Sequence, residues 1–170
     1  MTRRHPDPST LPPDHPARDP LHHALMDLVG ILSRPQPDEK LISEAGVALD
    51  RALFPLLVRI GLYGPLGVVE LAEIVGRDHS TISRQLSRME ELGLIERTPS
   101  PADQRVREAR VTETGRRMVA SIGAARNRLY DKVQEDWPPE DRAALPRLIR
   151  CLADDMARVL LAERTGEDPR

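Results

Sequence analysis

Residues 78–93 read DHSTISRQLSRMEELG, and this stretch has the pattern of a short amphipathic helix. It begins with Asp78, a residue type that caps helix N-termini, and ends at Gly93, a residue type that stops helices. Its apolar residues recur every three or four positions and therefore share one face. They are Ile82, Leu86, Met89 and Leu92. The spacing predicts a helix over 79–92 with one buried side.

The opposite side of this predicted helix carries hydroxyl groups and arginines. It consists of His79, Ser80, Thr81, Ser83, Arg84, Ser87 and Arg88. No acidic residue occurs from His79 through Met89. Short hydroxyl side chains and arginines suit a surface that contacts phosphates and base edges. A solvated helix face could carry the same charges, but the lack of acids favours a DNA recognition helix.

A second short helix precedes the recognition helix in the sequence. Residues 68–75 have helical spacing and are followed at once by Gly76. Ala72 is small enough for two helices to cross closely, and Ile82 can fill the space between them. Gly76 can adopt the positive φ that a sharp turn requires. The two helices and this turn predict a helix-turn-helix.

A β-hairpin is predicted directly after the recognition helix. Residues 94–97 indicate a strand, 98–104 a polar loop and 105–111 a return strand. A hairpin in this position converts a helix-turn-helix into a winged form. The helix would lie in the major groove while the wing tip contacts the neighbouring backbone or minor groove.

The segments before this lobe predict a tail and two helices. Residues 1–20 are rich in proline and predict a disordered tail, with a basic arm toward DNA as the alternative. The arginines of that arm are Arg3, Arg4 and Arg18. Residues 21–32 predict a first helix, which the sequence 33–37 breaks. Residues 41–60 predict a second helix, in which Pro55 should produce a kink or an early end.

Two further helices are predicted after the wing. Thr112 should cap a helix that runs to Trp137, and a last helix should run over 141–161 before a frayed tail at 164–170. The apolar stripes of helices 21–32, 112–136 and 141–161 exceed what one small winged helix can cover. They predict a homodimer, with packing inside one chain as the alternative.

Composition limits the class of protein. The 170 residues favour one domain, and only one Trp, two Tyr and one Phe are present, so the core should be aliphatic and mostly α-helical. The net charge of −2 requires any DNA-binding charge to be local. One cysteine fits a reducing cytoplasm. There is no apolar run of about eighteen residues, so no membrane span is expected.

The sequence does not point to an enzyme, a cofactor or a metal. It has no nucleophile–base pair, no phosphate-cradling glycine loop and no metal-ligand spacing. His22 and His23 are adjacent and point in different directions on a helix. Cys151 lies among leucines of the last helix, which favours a packing residue over a redox sensor.

Several ordered motifs between Gly64 and Gly115 resemble those of the MarR-type winged-helix transcriptional regulators. They are Gly64-Pro65-Leu66, Glu70-Leu71-Ala72, Ser80-Thr81-Ile82-Ser83-Arg84, Leu92-Gly93-Leu94-Ile95-Glu96-Arg97, Asp103-Gln104-Arg105 and Val111-Thr112-Glu113-Thr114-Gly115. The resemblance covers about residues 21–161. It implies a homodimer whose two lobes bind a pseudo-palindromic operator. It also implies repression that a small-molecule effector or oxidation often relieves.

The resemblance carries roles onto individual residues. It assigns major-groove contacts to Ser80, Thr81, Ser83, Arg84 and Arg88. It assigns the minor-groove wing contact to Arg105 and a steadying pair with an arginine to Asp103. Gln104 departs from the family, where a further arginine is common, and Gly67 replaces a small polar cap. Arg107 is included as a DNA contact, with a simple strand-face charge as the alternative.

The predicted fold class is therefore mostly α with a small β-hairpin wing, a winged helix-turn-helix core between N- and C-terminal dimerisation helices. The domains are a tail at 1–20, N-terminal helices at 21–60, a DNA-binding lobe at 61–111, C-terminal helices at 112–163 and a tail at 164–170. The N-terminal helices should also form part of a ligand pocket. The predicted function is sequence-specific binding of a double-stranded operator, most simply as a repressor. The alternative is a winged-helix module that binds proteins and does not read an operator.

Overall fold

The computed structural model describes residues 19–161, which form seven helices and three short strands. The helices are α1 Pro20–Leu32, α2 Pro35–Glu44, α3 Phe54–Tyr63, α4 Val68–Val75, α5 His79–Glu91, α6 Glu113–Val133 and α7 Pro139–Leu161. The strands are β1 Leu66–Gly67, β2 Ile95–Pro99 and β3 Arg107–Val111. The predicted mostly α fold class with a β wing is confirmed. The predicted tails lie outside the described residues, apart from 19 and 20.

The chain divides into two compact units within α6, after Ala125. In the first unit, α3, α4, α5, α6 and the sheet supply a buried aliphatic core. Its fully buried large side chains are Leu56, Leu57, Leu71, Ile82, Leu86, Met89 and Ile122. Burial of such side chains is the dominant stabilising contribution to a fold of this size. The second unit consists of the end of α6 and of α7.

Helices α4 and α5 form the predicted helix-turn-helix. The carboxylate of Glu70 accepts the backbone N–H of Gly67 at 2.8 Å, so the N-cap amide is paired although Gly67 has no side chain to accept a helical N–H. Gly76 ends α4 with a φ of 65°, the left-handed conformation that was predicted. Ala72 and Ile82 are both buried where the two helices meet. The predicted order of short helix, glycine turn and second helix is therefore confirmed.

The wing is a three-stranded antiparallel sheet with the order β1-β3-β2. The hairpin pairs Ile95 with Val111 and Pro99 with Arg107. Its return strand begins at Arg107 and not at position 105 as predicted, and its first strand continues to Pro99 and not only to position 97. The loop is therefore 100–106 in place of the predicted 98–104. Strand β1 was missed because it is only two residues long and pairs with β3 at Leu66 and Gly67. So short a strand has no alternation to detect.

The predicted helix 41–60 is wrong, because the chain forms two helices there. Helix α2 ends at Glu44, and Gly46 follows with a φ of 64°, which no continuing helix can accommodate. Pro55 lies in the first turn of α3, where its missing N–H removes no helical hydrogen bond. Leu49 and Leu53 remain buried although they are not helical. Their burial explains why the apolar spacing continued across the break.

Several predicted boundaries also shift. The break after α1 is limited to Ser33 and Arg34, since α2 already begins at Pro35. Helix α3 continues through Tyr63, into the segment predicted to be a turn. Helix α6 ends at Val133, before Trp137. Thr112 caps α6 as predicted, because its hydroxyl oxygen accepts the backbone N–H of Gly115 at 3.1 Å.

Candidate nucleic-acid interface

The first turn of α5 is organised by Asp78. Its carboxylate accepts the backbone N–H of Thr81 at 2.8 Å, which is the usual contact of a helix N-cap. It also accepts the hydroxyl of Ser80 at 2.6 Å and the hydroxyl of Thr81 at 2.7 Å. The sequence predicted the cap but not the capture of both hydroxyl groups. These three bonds fix the two hydroxyl side chains against one carboxylate.

The same bonds determine the ionisation of Asp78. The hydroxyl of Ser80, followed by the hydroxyl and the backbone N–H of Thr81, holds the pKa of Asp78 far below its usual range. Hydrogen bonds to the ionised carboxylate favour that form, so Asp78 stays charged throughout the physiological pH range. The negative charge occupies the N-terminus of α5, where an anion is favourable. The carboxylate thus occupies the Thr81 amide and places a negative charge beside the other amides of the first turn, so phosphate contacts are expected from the side chains of α5.

The two arginines of α5 differ in the partners of their guanidinium groups. Arg84 donates to the Thr81 hydroxyl at 3.4 Å and has no acidic partner among residues 19–161. Arg88 pairs with Glu91 at 2.9 Å, and both side chains are more than half exposed. An exposed pair of this kind contributes little free energy and can exchange for a phosphate. Arg84 is therefore the arginine of α5 that is available without breaking a pair.

The tip of the wing is held by a turn around Asp103. Its carboxylate accepts the backbone N–H of Arg105 at 2.9 Å, and its carbonyl accepts the N–H of Val106 at 2.9 Å. Asp103 thus steadies the wing through main-chain contacts, which corrects the implied pairing with an arginine guanidinium. The side chain of Arg105 is exposed and lacks an acidic partner in the described part of the chain. It is left available at the wing tip.

A brace that sequence patterns did not indicate joins the wing to the recognition helix. Arg97 of β2 contacts the carboxylate of Glu90 at 2.8 Å and the hydroxyl of Ser87 at 3.2 Å. Its side chain is only 19% exposed, so this pair is less screened than the surface pairs. Arg107 donates to the carbonyl of Arg97 at 2.7 Å. The predicted wing residue Arg107 is thereby tied to β2, and through Arg97 to α5.

A second connection links the helix-turn-helix to the segment before α3. Arg77 and Gln85 both donate to the carbonyl of Ala52, at 3.4 and 3.2 Å. Arg77 also donates to the side-chain oxygen of Gln85 at 3.3 Å. Asp50 holds the turn that presents this carbonyl, by accepting the N–H of Ala52 at 2.7 Å. The turn and the middle of α5 are thus anchored to one main-chain atom.

Five of the eight predicted contact residues form two hydrogen-bonded groups. Ser80, Thr81 and Arg84 are joined through Asp78 and one another, while Arg105 belongs to the turn at Asp103. Ser83 is half-buried, and its hydroxyl makes no hydrogen bond to any described residue.

The described residues contain neither a cluster of metal ligands nor a membrane-spanning helix. No group of three or more His, Cys, Asp or Glu among residues 19–161 could hold a metal ion. None of the helices described above is long and apolar enough to cross a membrane.

A short helix crossing a recognition helix, followed by an arginine-bearing β wing, defines a winged helix-turn-helix protein of the DNA-binding class. The MarR family model matches residues 49–106, which span α3, α4, α5 and the wing as far as the start of β3. The chain is 30% identical over 102 residues to the HTH-type transcriptional regulator YxaD of Bacillus subtilis (strain 168). That match covers 60% of this chain and 71% of the relative. The chain belongs to the MarR family of transcriptional regulators.

Solved structures agree with this assignment. The crystal structure of MarR is 30% identical, with a TM-score of 0.60 over 77% of this chain and 98% of that one. A MarR family transcriptional regulator from Listeria monocytogenes, solved in complex with 26mer DNA, shares the fold. It is 18% identical, with a TM-score of 0.62 over 85% of this chain and 97% of that one.

Proposed function

We propose that this chain is a homodimeric repressor that binds a pseudo-palindromic operator in the cytoplasm. Helix α5 would enter the major groove of each half-site, and the wing tip would contact the adjoining minor groove or backbone. No enzymatic step is part of this proposal. Occupation of the operator would itself block transcription, and a small-molecule effector would release the dimer by changing the distance between its two recognition helices.

The observation that carries the proposal is the distribution of available arginines. On α5 the side chain of Arg84 has no acidic partner in residues 19–161, and at the wing tip the same holds for Arg105. Arginine is the commonest side chain to contact guanine in the major groove and to enter a narrow minor groove. The brace between Arg97 and Glu90 keeps the wing in a constant relation to α5. A chain with a net charge of −2 thus still presents local positive charge for DNA.

Dimerisation is supported by the exposed apolar residues of the terminal helices. Helix α1 contains no buried residue, and neither does α7 through Leu160. The large apolar side chains exposed on these two helices are Leu21, Met26, Leu28, Val29, Ile31, Leu32, Leu148, Ile149, Met156, Val159 and Leu160. Apolar surface of this extent is typical of an interface between copies.

An effector site is supported by a cavity in the second unit. The cavity has a volume of about 450 Å³ and is lined by Trp137, Leu145 and Leu148 together with the acidic residues Asp136 and Asp141. None of its lining residues belongs to the N-terminal helices, which were predicted to form part of the pocket. This volume lies within the usual range for small-molecule sites.

The test of the proposal is selection of bound sequences from a random duplex pool with the full-length chain. The expected result is a pair of inverted half-sites whose centres lie about one helical turn, roughly 10 base pairs, or a multiple of it apart. The Arg84→Ala variant, selected in parallel, should lose the preference at one position of each half-site. Arg59→Ala is a matched control, since Arg59 is an exposed arginine on α3 outside the proposed interface.

Enrichment of a single, unrepeated site would reject the dimeric operator. No enrichment of any sequence would reject operator recognition altogether.

A further inference from the structure

The hydroxyl groups at the start of α5 can discriminate between bases because their protons are already donated to the carboxylate of Asp78. A serine or threonine hydroxyl has one proton to donate and two lone pairs that accept, so an unconstrained hydroxyl can contact either kind of group. Here Ser80 and Thr81 both donate their single proton to the carboxylate of Asp78, at 2.6 and 2.7 Å. Hydroxyl–carboxylate bonds of this length belong to the strong, charge-assisted class.

A further contact of Thr81 reduces the number of lone pairs that its hydroxyl oxygen can offer to a base. Arg84 donates to the Thr81 hydroxyl oxygen at 3.4 Å, which occupies one of its two lone pairs. One lone pair is left on Thr81 and two are left on Ser80, whose side chain is exposed. Both side chains therefore present acceptors to an approaching ligand and no free donor.

Groups on DNA differ sharply in how they match such a surface. Phosphate oxygens are acceptors, as are the O6 and N7 atoms of guanine and the O4 atom of thymine. Hydrogen-bond donors in the major groove are the amino groups of cytosine and adenine. An oxygen lone pair repels the first set and accepts from the second.

We propose that Asp78 is a positioning residue for base specificity. By holding the hydroxyl protons, it makes Ser80 and Thr81 select bases that present an amino group, cytosine or adenine, at the operator positions they face. The inference rests on the proposed function, because it requires α5 to lie in the major groove. Ser83 provides the contrast, since its hydroxyl bonds no described residue and can either donate or accept.

The decisive variant is Asp78→Asn, which retains the cap. Asparagine is as good an N-cap as aspartate, and its side-chain oxygen can keep the contacts of Oδ1 with Ser80 and the backbone N–H of Thr81. The amide nitrogen would replace Oδ2, which now accepts from the Thr81 hydroxyl. The amide would instead donate to that hydroxyl oxygen, so the proton of Thr81 would become free for a base acceptor.

The experiment is sequence selection from a random duplex pool with wild type, Asp78→Asn, Thr81→Val and the double variant. Wild type should enrich cytosine or adenine at the Thr81-dependent position. Asp78→Asn should shift the ratio of cytosine and adenine to guanine and thymine there by about tenfold, within the usual effect of one mismatched base pair. Thr81→Val should abolish the preference at that position and also remove the effect of Asp78→Asn. Ser83→Ala is the matched control and should leave that effect unchanged.

Identical base frequencies in wild type and Asp78→Asn would overturn the inference, and so would a wild-type preference for guanine or thymine at the Thr81-dependent position. If thermal melting shows that Asp78→Asn is unfolded, Thr81→Val decides alone. Loss of a cytosine or adenine preference supports the inference, and any other result rejects it. Absence of all enrichment with wild type would instead reject the proposed function, so the two failures are distinguishable.

Discussion

The DNA-binding lobe at 61–111 and the terminal helices α1 and α7 differ in how much apolar surface they bury within one chain. In the lobe, the apolar residues Ile82, Leu86 and Met89 of α5 are fully buried. No buried side-chain nitrogen or oxygen in residues 19–161 lacks a hydrogen-bond partner. In contrast, α1 buries no residue at all, although its sequence is predominantly apolar. The lobe buries its core within one chain, whereas the terminal helices leave their apolar side chains exposed to water.

This difference separates two tasks along the chain. In the proposed function, recognition would depend on polar side chains held in place by bonds inside the lobe, such as Arg97 to Glu90. Assembly would depend on apolar area that a second copy would remove from water, at roughly 25 cal/mol for each Å². Substitutions in the lobe should therefore change operator affinity and base preference, whereas substitutions in the terminal helices should change the oligomeric state.

The largest effect is expected from a charge on the exposed apolar face of α7. Val159→Glu should convert the dimer to a monomer, because Val159 is 65% exposed in the single chain and a buried carboxylate would oppose its covering. Operator affinity should fall by more than about a hundredfold, as two linked lobes bind far more tightly than one. Light scattering and gel-shift titration measure the two effects.

Ile74→Glu is the control for this change, since Ile74 is an exposed apolar residue of the lobe. It should leave the dimer mass unaltered. A Val159→Glu protein that keeps the dimer mass at micromolar concentration would contradict the proposed role of α7.

A smaller effect is expected from Arg84→Ala in the lobe. Loss of a guanidinium from a base edge should weaken operator binding by about ten- to a hundredfold and relax the base preference at one position. The melting temperature and the dimer mass should not change, because Arg84 makes only a 3.4 Å contact with Thr81. Equal affinity of Arg84→Ala and Arg59→Ala in gel-shift titrations would show that α5 is not the reading surface.

The smallest effect is expected from Arg105→Ala at the wing tip. Its removal should weaken binding several-fold and by a similar factor for different operators, since in the proposed function it would contact mainly the backbone or a narrow groove. The slope of log affinity against log salt should become shallower by about one, the contribution of one released counterion. A salt slope identical to that of wild type would place the Arg105 side chain outside the interface.

The recognition helix was predictable because its signals are local. Asp78 and Gly93 mark its ends, and the repeat of about 3.6 residues is uninterrupted between them. The observed helix, His79–Glu91, differs from the prediction by one residue. The helix predicted over 41–60 was wrong because the same local signal, apolar residues at helical spacing, also arises there from residues outside a helix. Leu49 and Leu53 are buried at helical spacing, but tertiary packing buries them in irregular backbone.

The candidate site likewise contains residues that could be predicted from the sequence and contacts that could not. The acid-free stretch from His79 through Met89 pointed to Arg84, and the resemblance to the MarR-type regulators pointed to Arg105. The brace of Arg97 with Ser87 and Glu90 was not predictable, because it joins residues ten and seven positions apart across a turn. The double role of Asp78 required the hydroxyl orientations, which a sequence pattern does not contain.

The carbonyl of Ala52 has a consequence for how this family member can vary. Arg77 and Gln85 are anchored to a main-chain oxygen, which every amino acid supplies. Exchange of the side chain at position 52 would therefore leave the anchor intact, whereas an inserted or deleted residue between Gly46 and Ala52 would displace it. At position 52 a change of side chain is therefore tolerated, whereas a change in the length of the preceding segment is not.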